Sequence, residues 1–285
     1  MSYTLNIHGR LMDLEVPRVM GILNATPDSF YAASRVQTEE AVAGRVQEIL
    51  DQGADMIDVG ACSTRPDSAA VSEPEEMERL RMALAVVRRM APDAVVSVDT
   101  FRPAVARMAV EEFGADMIND VKSSATLNAP LGSAASLCEE PSTLNAQPNE
   151  MFRMVARLGV PYILMSQAAD MKTMLMELAR DVQQLRDYGQ KDIIVDPGFG
   201  FGKTLDDNYA VMRDLSQLQL LELPVLVGVS RKSMIHRLLD LKPEEALNGT
   251  TILNTMALER GAKILRVHDV KEAVECVRIF QKMKK

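Results

Sequence analysis

Eight short β-rich runs recur along this chain, and helix-like stretches follow nearly every one of them. The runs are Val19–Leu23, Asp55–Val59, Ala94–Val98, Asp116–Ile118, Pro161–Met165, Asp192–Val195, Pro224–Val229 and Lys263–Val267. Most are almost continuously apolar instead of alternating with polar residues, which is how strands covered on both faces read. Strand, helix, strand in repetition favours a parallel sheet, and a count of eight favours closure into a (β/α)8 TIM barrel. A doubly wound open sheet is the alternative. It should carry a Gly-rich dinucleotide fingerprint in its first turn, and Asn24-Ala25-Thr26-Pro27 is not one.

The connecting stretches carry helix signals. Thr38–Leu50 opens with Glu39 and Glu40, acidic residues that suit a first helical turn. Ser72–Met90, Pro103–Phe113, Glu150–Leu158, Met171–Tyr188, Pro243–Arg260 and Lys271–Lys285 follow. Gly53, Gly114, Gly159, Gly189 and Gly261 stand where a helix would stop before the next strand. The organisation expected is an N-terminal lead-in over residues 1–17, with a small hairpin around His8-Gly9-Arg10, and one barrel domain over 18–285. Residues 121–149 break the rhythm: rich in Ser, Ala, Asn and Pro, they read as a long mobile connection.

Composition narrows the function. At 285 residues and 47% hydrophobic, the chain can close one large core. A net charge of -8 argues against a nucleic-acid surface, so an anionic ligand would need cations gathered locally. No run is apolar and long enough to span a membrane, and the first ten residues lack the features of a signal peptide. Cys62, Cys138 and Cys276 form neither a metal-ligand spacing nor a disulfide framework, which points to a reducing cytoplasm. Cys62 reads as a small space-filling side chain, not a reactive thiol.

A barrel places its active site at the C-terminal ends of the strands. The residues there are Asn24, Ser63-Thr64-Arg65, Asp99, Asn119 with Asp120, Ser166, Asp196, Ser230-Arg231-Lys232, and Arg266 with His268. Asp99, Asn119 and Asp196 offer carboxylate and amide groups suited to a flat heterocycle with N–H donors and ring acceptors, such as a pterin or purine. Arg65, Lys232, Arg266 and His268 bring positive charge that suits a diphosphate. Asn24 offers an oxygen to a hard cation such as Mg2+ bridging that diphosphate. Together these describe a transferase that displaces pyrophosphate.

Each residue also has a plainer reading. Asp99 could only cap the helix beginning near Pro103, and Asp196-Pro197-Gly198 could only be a turn. Ser230 to Ser233 could be a solvated cap, although two cations oppose the dipole at a helix N-terminus. Arg266 and His268 could form a salt-bridged rim, and Thr26 to Ser29 a simple turn. The joint occurrence of all of them on one barrel face is what favours a site.

These same residues resemble the dihydropteroate synthases. The stretch Met20 to Phe30 (MGILNATPDSF) resembles that family's first signature, and Asp58-Val59-Gly60 with Ser63-Thr64-Arg65-Pro66 its second. Ser97 to Thr100, Ile118-Asn119-Asp120, Asp196 to Lys203, Gly228 to Ser233 and Arg266 to Val270 continue the pattern in order. Seven motifs in register are specific where one would not be. The resemblance implies a homodimeric, cytoplasmic enzyme of folate biosynthesis and a sulfonamide target. Its reaction joins 6-hydroxymethyl-7,8-dihydropterin pyrophosphate to p-aminobenzoate. Asp99, Asn119, Asp196 and Lys232 would hold the pterin. Asn24, Arg65, Arg266 and His268 would hold the pyrophosphate, with Mg2+ at Asn24 and Thr64 alongside. Pro66, Phe201, Ser230 and Lys232 would line the p-aminobenzoate pocket, with Phe30 closing over it. The resemblance implies that Asp99, Lys232 and Asp196 are catalytic and that pyrophosphate leaves first.

The chain departs from the family pattern at Tyr31-Ala32-Ala33-Ser34, at Ala61-Cys62, after Asp120 at Lys122-Ser123-Ser124, and at Ser166-Gln167-Ala168-Ala169. These loops bear on affinity and closure more than on the reaction. Two other readings share such a barrel. One is a methyltetrahydrofolate-binding methyltransferase domain, which would not need the Ser-Arg-Lys-Ser and Arg-Val-His cation sets. The other is a non-enzymatic pterin-binding paralogue.

Overall fold

The computed structural model describes residues 3–25, 35–62, 71–121 and 149–284. It opens with an antiparallel hairpin, β1 (Thr4–Ile7) and β2 (Arg10–Asp13), turning at His8 and Gly9, both at positive φ. Eight parallel strands follow: β3 (Arg18–Asn24), β4 (Met56–Gly60), β5 (Val95–Asp99), β6 (Met117–Asp120), β7 (Tyr162–Met165), β8 (Ile193–Asp196), β9 (Leu226–Val227) and β10 (Ile264–Val267). They pair in the order β8-β7-β6-β5-β4-β3-β10-β9. A parallel bridge between Val195 and Val225 joins the two outer strands. The sheet therefore closes on itself, as a (β/α)8 barrel requires and an open doubly wound sheet does not.

Successive side chains on a strand point to opposite faces, and this divides the core in two. Outward residues such as Val19, Val59, Val98, Leu164, Val195 and Leu265 pack beneath the helices. Inward residues Met20, Met56, Met117, Ile163, Ile194, Leu226 and Ile264 form a separate layer inside the barrel floor. Leu5, Ile7 and Leu14 from the hairpin segment pack into that same layer, so the hairpin plugs the N-terminal end of the barrel. Burying Leu5 and Ile7 while exposing Thr4 and Asn6 is the alternation of a strand with one wet face.

The outer helices are α1 (Arg35–Asp51), α2 (Glu73–Met90), α3 (Pro103–Phe113), α4 (Glu150–Leu158), α5 (Met171–Asp187), α6 (Leu205–Asp214), α7 (Ser233–His236), α8 (Leu247–Glu259) and α9 (Val270–Lys284). Their starts are chemically marked. Ser72, Asn149 and Asp170 each accept backbone N–H groups at the heads of α2, α4 and α5. The stretch Pro243–Arg260 is not one helix: Pro243–Glu245 forms a 3-10 turn, and α8 begins after it at Leu247. The helix α6 was not anticipated from sequence, although Thr204 and Asp207 form the reciprocal capping box that marks its start. The long connection read at residues 121–149 lies outside the described residues except at its ends.

Candidate active site

A step of two residues up each strand from the apolar floor layer leads to the mouth. Met56 gives Asp58, Met117 gives Asn119, Ile194 gives Asp196 and Ile264 gives Arg266. Strand register then aligns Asn24 with Gly60, Gly60 with Asp99 and Asp99 with Asn119, so four strand ends meet at one level. Gly60 leaves room here, since a Cβ added to it would stand 3.4 Å from the Cβ of Asp99.

Arg266 is the hub of this layer. Its Nε donates to Asp58 Oδ2 at 2.6 Å and its Nη2 to Asp99 Oδ2 at 2.8 Å. Asn119 Nδ2 donates to the same Asp58 oxygen at 3.2 Å. Burial opposes the guanidinium charge, but Asp58 and Asp99 outweigh it and hold the Arg266 pKa above its usual value. Asp99 behaves differently. Burial, opposed by Arg266 and reinforced by Asp58, Asp120 and Glu76, pushes its carboxyl up to about 7. Asp58 Oδ1 and Asn119 Oδ1 are buried and find no hydrogen-bond partner among the described residues.

A second group stands at the ends of β8 and β9. Asp196 Oδ1 accepts the N–H of Gly198 at 2.7 Å, so the Asp-Pro-Gly turn and the site are one feature. Burial raises the Asp196 pKa against the pull of Lys232. Lys232 bonds the carbonyl of Phe199 and lies over the ring of Phe201, 4.7 Å from its centroid. Burial pushes its ammonium down to about 8, with Asp196 opposing the shift. Ser230 and His268 form a third pair. Ser230 Oγ accepts the His268 N–H at 3.1 Å and lies 3.0 Å from its Nδ1.

Several sequence expectations change here. His268 is not a cation at neutral pH, because burial and then the charge of Arg266 push its pKa down to about 4. Arg266 is not a solvated rim residue: it bonds two carboxylates and its side chain is only 18% exposed. Asp99 does not cap α3, whose N-cap is Arg102. Arg231 pairs with Asp269 at 2.7 Å and leaves Lys232 to face the mouth. Thr64, Arg65, Pro66 and Phe30 lie outside the described residues, as do Thr26 to Ser29. Asn24 ends β3 with its side chain exposed.

Comparison with known proteins now decides the family. The family model described as pterin binding enzyme matches residues 20–268. The dihydropteroate synthase of Escherichia coli K12 is 36% identical, over 96% of this chain and 94% of its own length. That of Bacillus subtilis is also 36% identical, over 93% of this chain and 88% of its own. Among solved structures, the Xanthomonas albilineans dihydropteroate synthase with 4-aminobenzoic acid matches with a TM-score of 0.80 and 35% identity. It covers 100% of this chain and 99% of its own. The chain belongs to the dihydropteroate synthase family.

As a synthase, the chain has one mouth residue that motif reading undervalued. Asp58 is fully buried and takes two hydrogen bonds, yet it was read only as part of a signature. Arg45, on α1, was also missed; its Nη2 donates to the His268 carbonyl at 2.6 Å and so ties that backbone to the helix. Cys62, where this synthase departs from its family, is a free, partly exposed thiol. Burial, with Glu76 adding to it, pushes its pKa up to about 11.

Proposed function

We propose that this mouth binds the pterin through Asp99, Asn119, Asp196 and Lys232, and the diphosphate through Asn24, Arg65, Arg266 and His268. The chain is a transferase. It condenses 6-hydroxymethyl-7,8-dihydropterin pyrophosphate with p-aminobenzoate to give 7,8-dihydropteroate and pyrophosphate. The observation that carries the residue roles is the hydrogen-bonded layer of Asp58, Asp99, Asn119 and Arg266, whose Asp58 Oδ1 and Asn119 Oδ1 have no partner among the described residues. Such a layer suits a flat, N–H-rich ring and would stand beneath a developing cation.

In this reading the C–O bond to pyrophosphate breaks first. The negative charges of Asp99 and Asp196 stabilise the pterin methylene cation, and the aniline nitrogen then attacks it, forming the C–N bond and losing its proton. Lys232 marks the boundary of the two substrates, with Phe201, Ser230 and Pro66 on the p-aminobenzoate side, Phe30 over it, and Thr64 beside the diphosphate.

Mg2+ fits the donor set in one way. Among the described residues no group of three or more His, Cys, Asp or Glu side chains could hold a metal. Asn24 presents a hard amide oxygen at the strand end, and Mg2+ commonly takes one or two protein ligands, filling the rest with water and substrate phosphate. Asn24 would hold the ion, which would neutralise charge on the leaving diphosphate.

A homodimer is supported by exposed apolar side chains on neighbouring elements: Leu238 and Leu239 after α7, Ile252 and Met256 on α8, and Ile279 and Met283 on α9. No helix among the described residues is long and apolar enough to cross a membrane, and we place the enzyme in the cytoplasm. The test is pyrophosphate release from the pterin diphosphate with and without p-aminobenzoate. Sustained release and dihydropteroate formation should require both substrates. Binding of the pterin diphosphate without turnover would refute the enzymatic reading.

A further inference from the structure

Lys203 carries a half-buried ammonium that the proposed reaction does not use. It follows the glycine-rich turn after β8, and its Nζ donates to three backbone carbonyls: Ser166 at 3.3 Å, Gly198 at 3.1 Å and Phe201 at 3.2 Å. Those carbonyls belong to two different strand ends, β7 and β8. Three donors on one compact charge match three converging carbonyls, a role a lysine fills and a planar guanidinium fills less well. Burial pushes its pKa down to about 8, while Asp196, Glu177 and Asp207 oppose the shift, so it remains mostly charged at neutral pH.

The turn is built to deliver those carbonyls. Gly198 adopts φ 63°, and a Cβ there would stand 2.2 Å from the Ser166 carbonyl oxygen. Gly200 adopts φ 81°, and its Cβ would meet Lys232 Cδ at 3.2 Å. Asn208 Oδ1 accepts the Gly200 N–H at 2.7 Å. Lys232 meets this same turn through the Phe199 carbonyl and the Phe201 ring. Lys203 and Lys232 thus hold one five-residue turn together, Lys203 through the Gly198 and Phe201 carbonyls and Lys232 through the Phe199 carbonyl and the Phe201 ring.

We propose that Lys203 is a positioning residue for the p-aminobenzoate half of the reaction. It locks the turn so that Phe201 and the Lys232 ammonium stand ready for the aromatic amine, without touching either substrate. The inference rests on the reading that Phe201 and Lys232 line that pocket. Steady-state kinetics in both substrates test it with Lys203→Met, Lys203→Arg and, as a control on the pocket, Phe201→Ala, each with a melting curve.

Lys203→Met should raise KM for p-aminobenzoate roughly tenfold or more, with kcat and the KM for pterin diphosphate changed far less. Lys203→Arg should recover part of the loss. If Lys203→Met does not fold, Lys203→Gln, which keeps two amide donors, carries the same test. A lowered melting temperature with unchanged KM values would overturn the positioning role, because the ammonium would then serve only stability. An unchanged KM for p-aminobenzoate in Phe201→Ala would overturn the pocket reading itself. A raised KM there with normal kinetics in Lys203→Met would overturn the role of Lys203 alone.

Discussion

Replacing Arg266 by Met tests whether this guanidinium balances the buried carboxylates before it serves a ligand. The side chain bonds Asp58 at 2.6 Å and Asp99 at 2.8 Å, and Asp58 is fully buried. Methionine fills much of the same volume but leaves the Asp58 carboxylate with Asn119 as its remaining hydrogen-bond donor. Removing one partner of a buried ion pair costs about 3–5 kcal/mol, because the surviving charge stays desolvated. For a chain of this size that corresponds to roughly 2 °C of melting temperature per kcal/mol, hence a fall of about 6–10 °C. The assay is thermal unfolding without substrates at pH 7.5. The double variant Asp58→Asn with Arg266→Met removes the fully buried one of the two stranded carboxylates and should regain about half of the loss. A fall below about 2 °C, or a double variant no more stable than the single one, would refute the balance drawn here.

Asp99→Asn keeps shape and hydrogen bonding but removes the charge. Turnover should fall on the order of 10²–10³-fold with little change in melting temperature, and a variant of near-normal kcat would sink the electrostatic role. Because the Asp99 carboxyl is raised to about 7, wild-type activity should climb as pH rises through that value and Asp99 ionises; a flat acid limb would contradict this. Lys232→Ala should abolish most turnover. In the wild type, activity should decline as pH passes about 8 and the ammonium is lost, and a rate constant up to pH 10 would count against a charged Lys232. Exhaustive chelation should remove activity and Mg2+ should restore it, whereas full activity after chelation would dismiss the cation at Asn24.

The barrel was readable because its signal is carried by repetition. Each apolar run became a strand within one or two residues of its expected limits; β9 is trimmed most, its run Pro224–Val229 losing two residues at each end to leave Leu226–Val227. All five glycines read as helix stops adopt positive φ, as that role demands. Residues just past the runs were easy to find, since a polar side chain there interrupts an apolar stretch. Asp58 was harder because it sits inside its run, facing inward between outward-facing Ile57 and Val59. A run covered on both faces hides the two-residue alternation that would have singled it out. The charge state of His268 was not legible at all. It depends on burial and on Arg266, a neighbour two residues away whose side chain shares the barrel interior.

These local charges bear on why a cation should be needed. The protein is acidic overall, with a net charge of -8, and the mouth adds Asp58, Asp99 and Asp196 beneath the ligand. Arg266 is already shared between two of those carboxylates, and His268 is a neutral imidazole. Lys203 is spent on three carbonyls, and Lys232 on Phe199 and Asp196. The described cations therefore leave little uncommitted positive charge to meet a diphosphate. In the proposed mechanism this arrangement would serve the cation formed on the pterin, since carboxylates held near it in a dry layer act strongly there. It serves the leaving group poorly. The opposite requirements of the two ends of one substrate are reconciled if compensation for the diphosphate is brought with it, as Mg2+ held through water and the single oxygen of Asn24 would do, with Arg65 adding charge from the second signature. On that logic, strengthening the protein's own positive charge at the mouth would be no substitute for the metal, because it would also quench the carboxylates that favour departure.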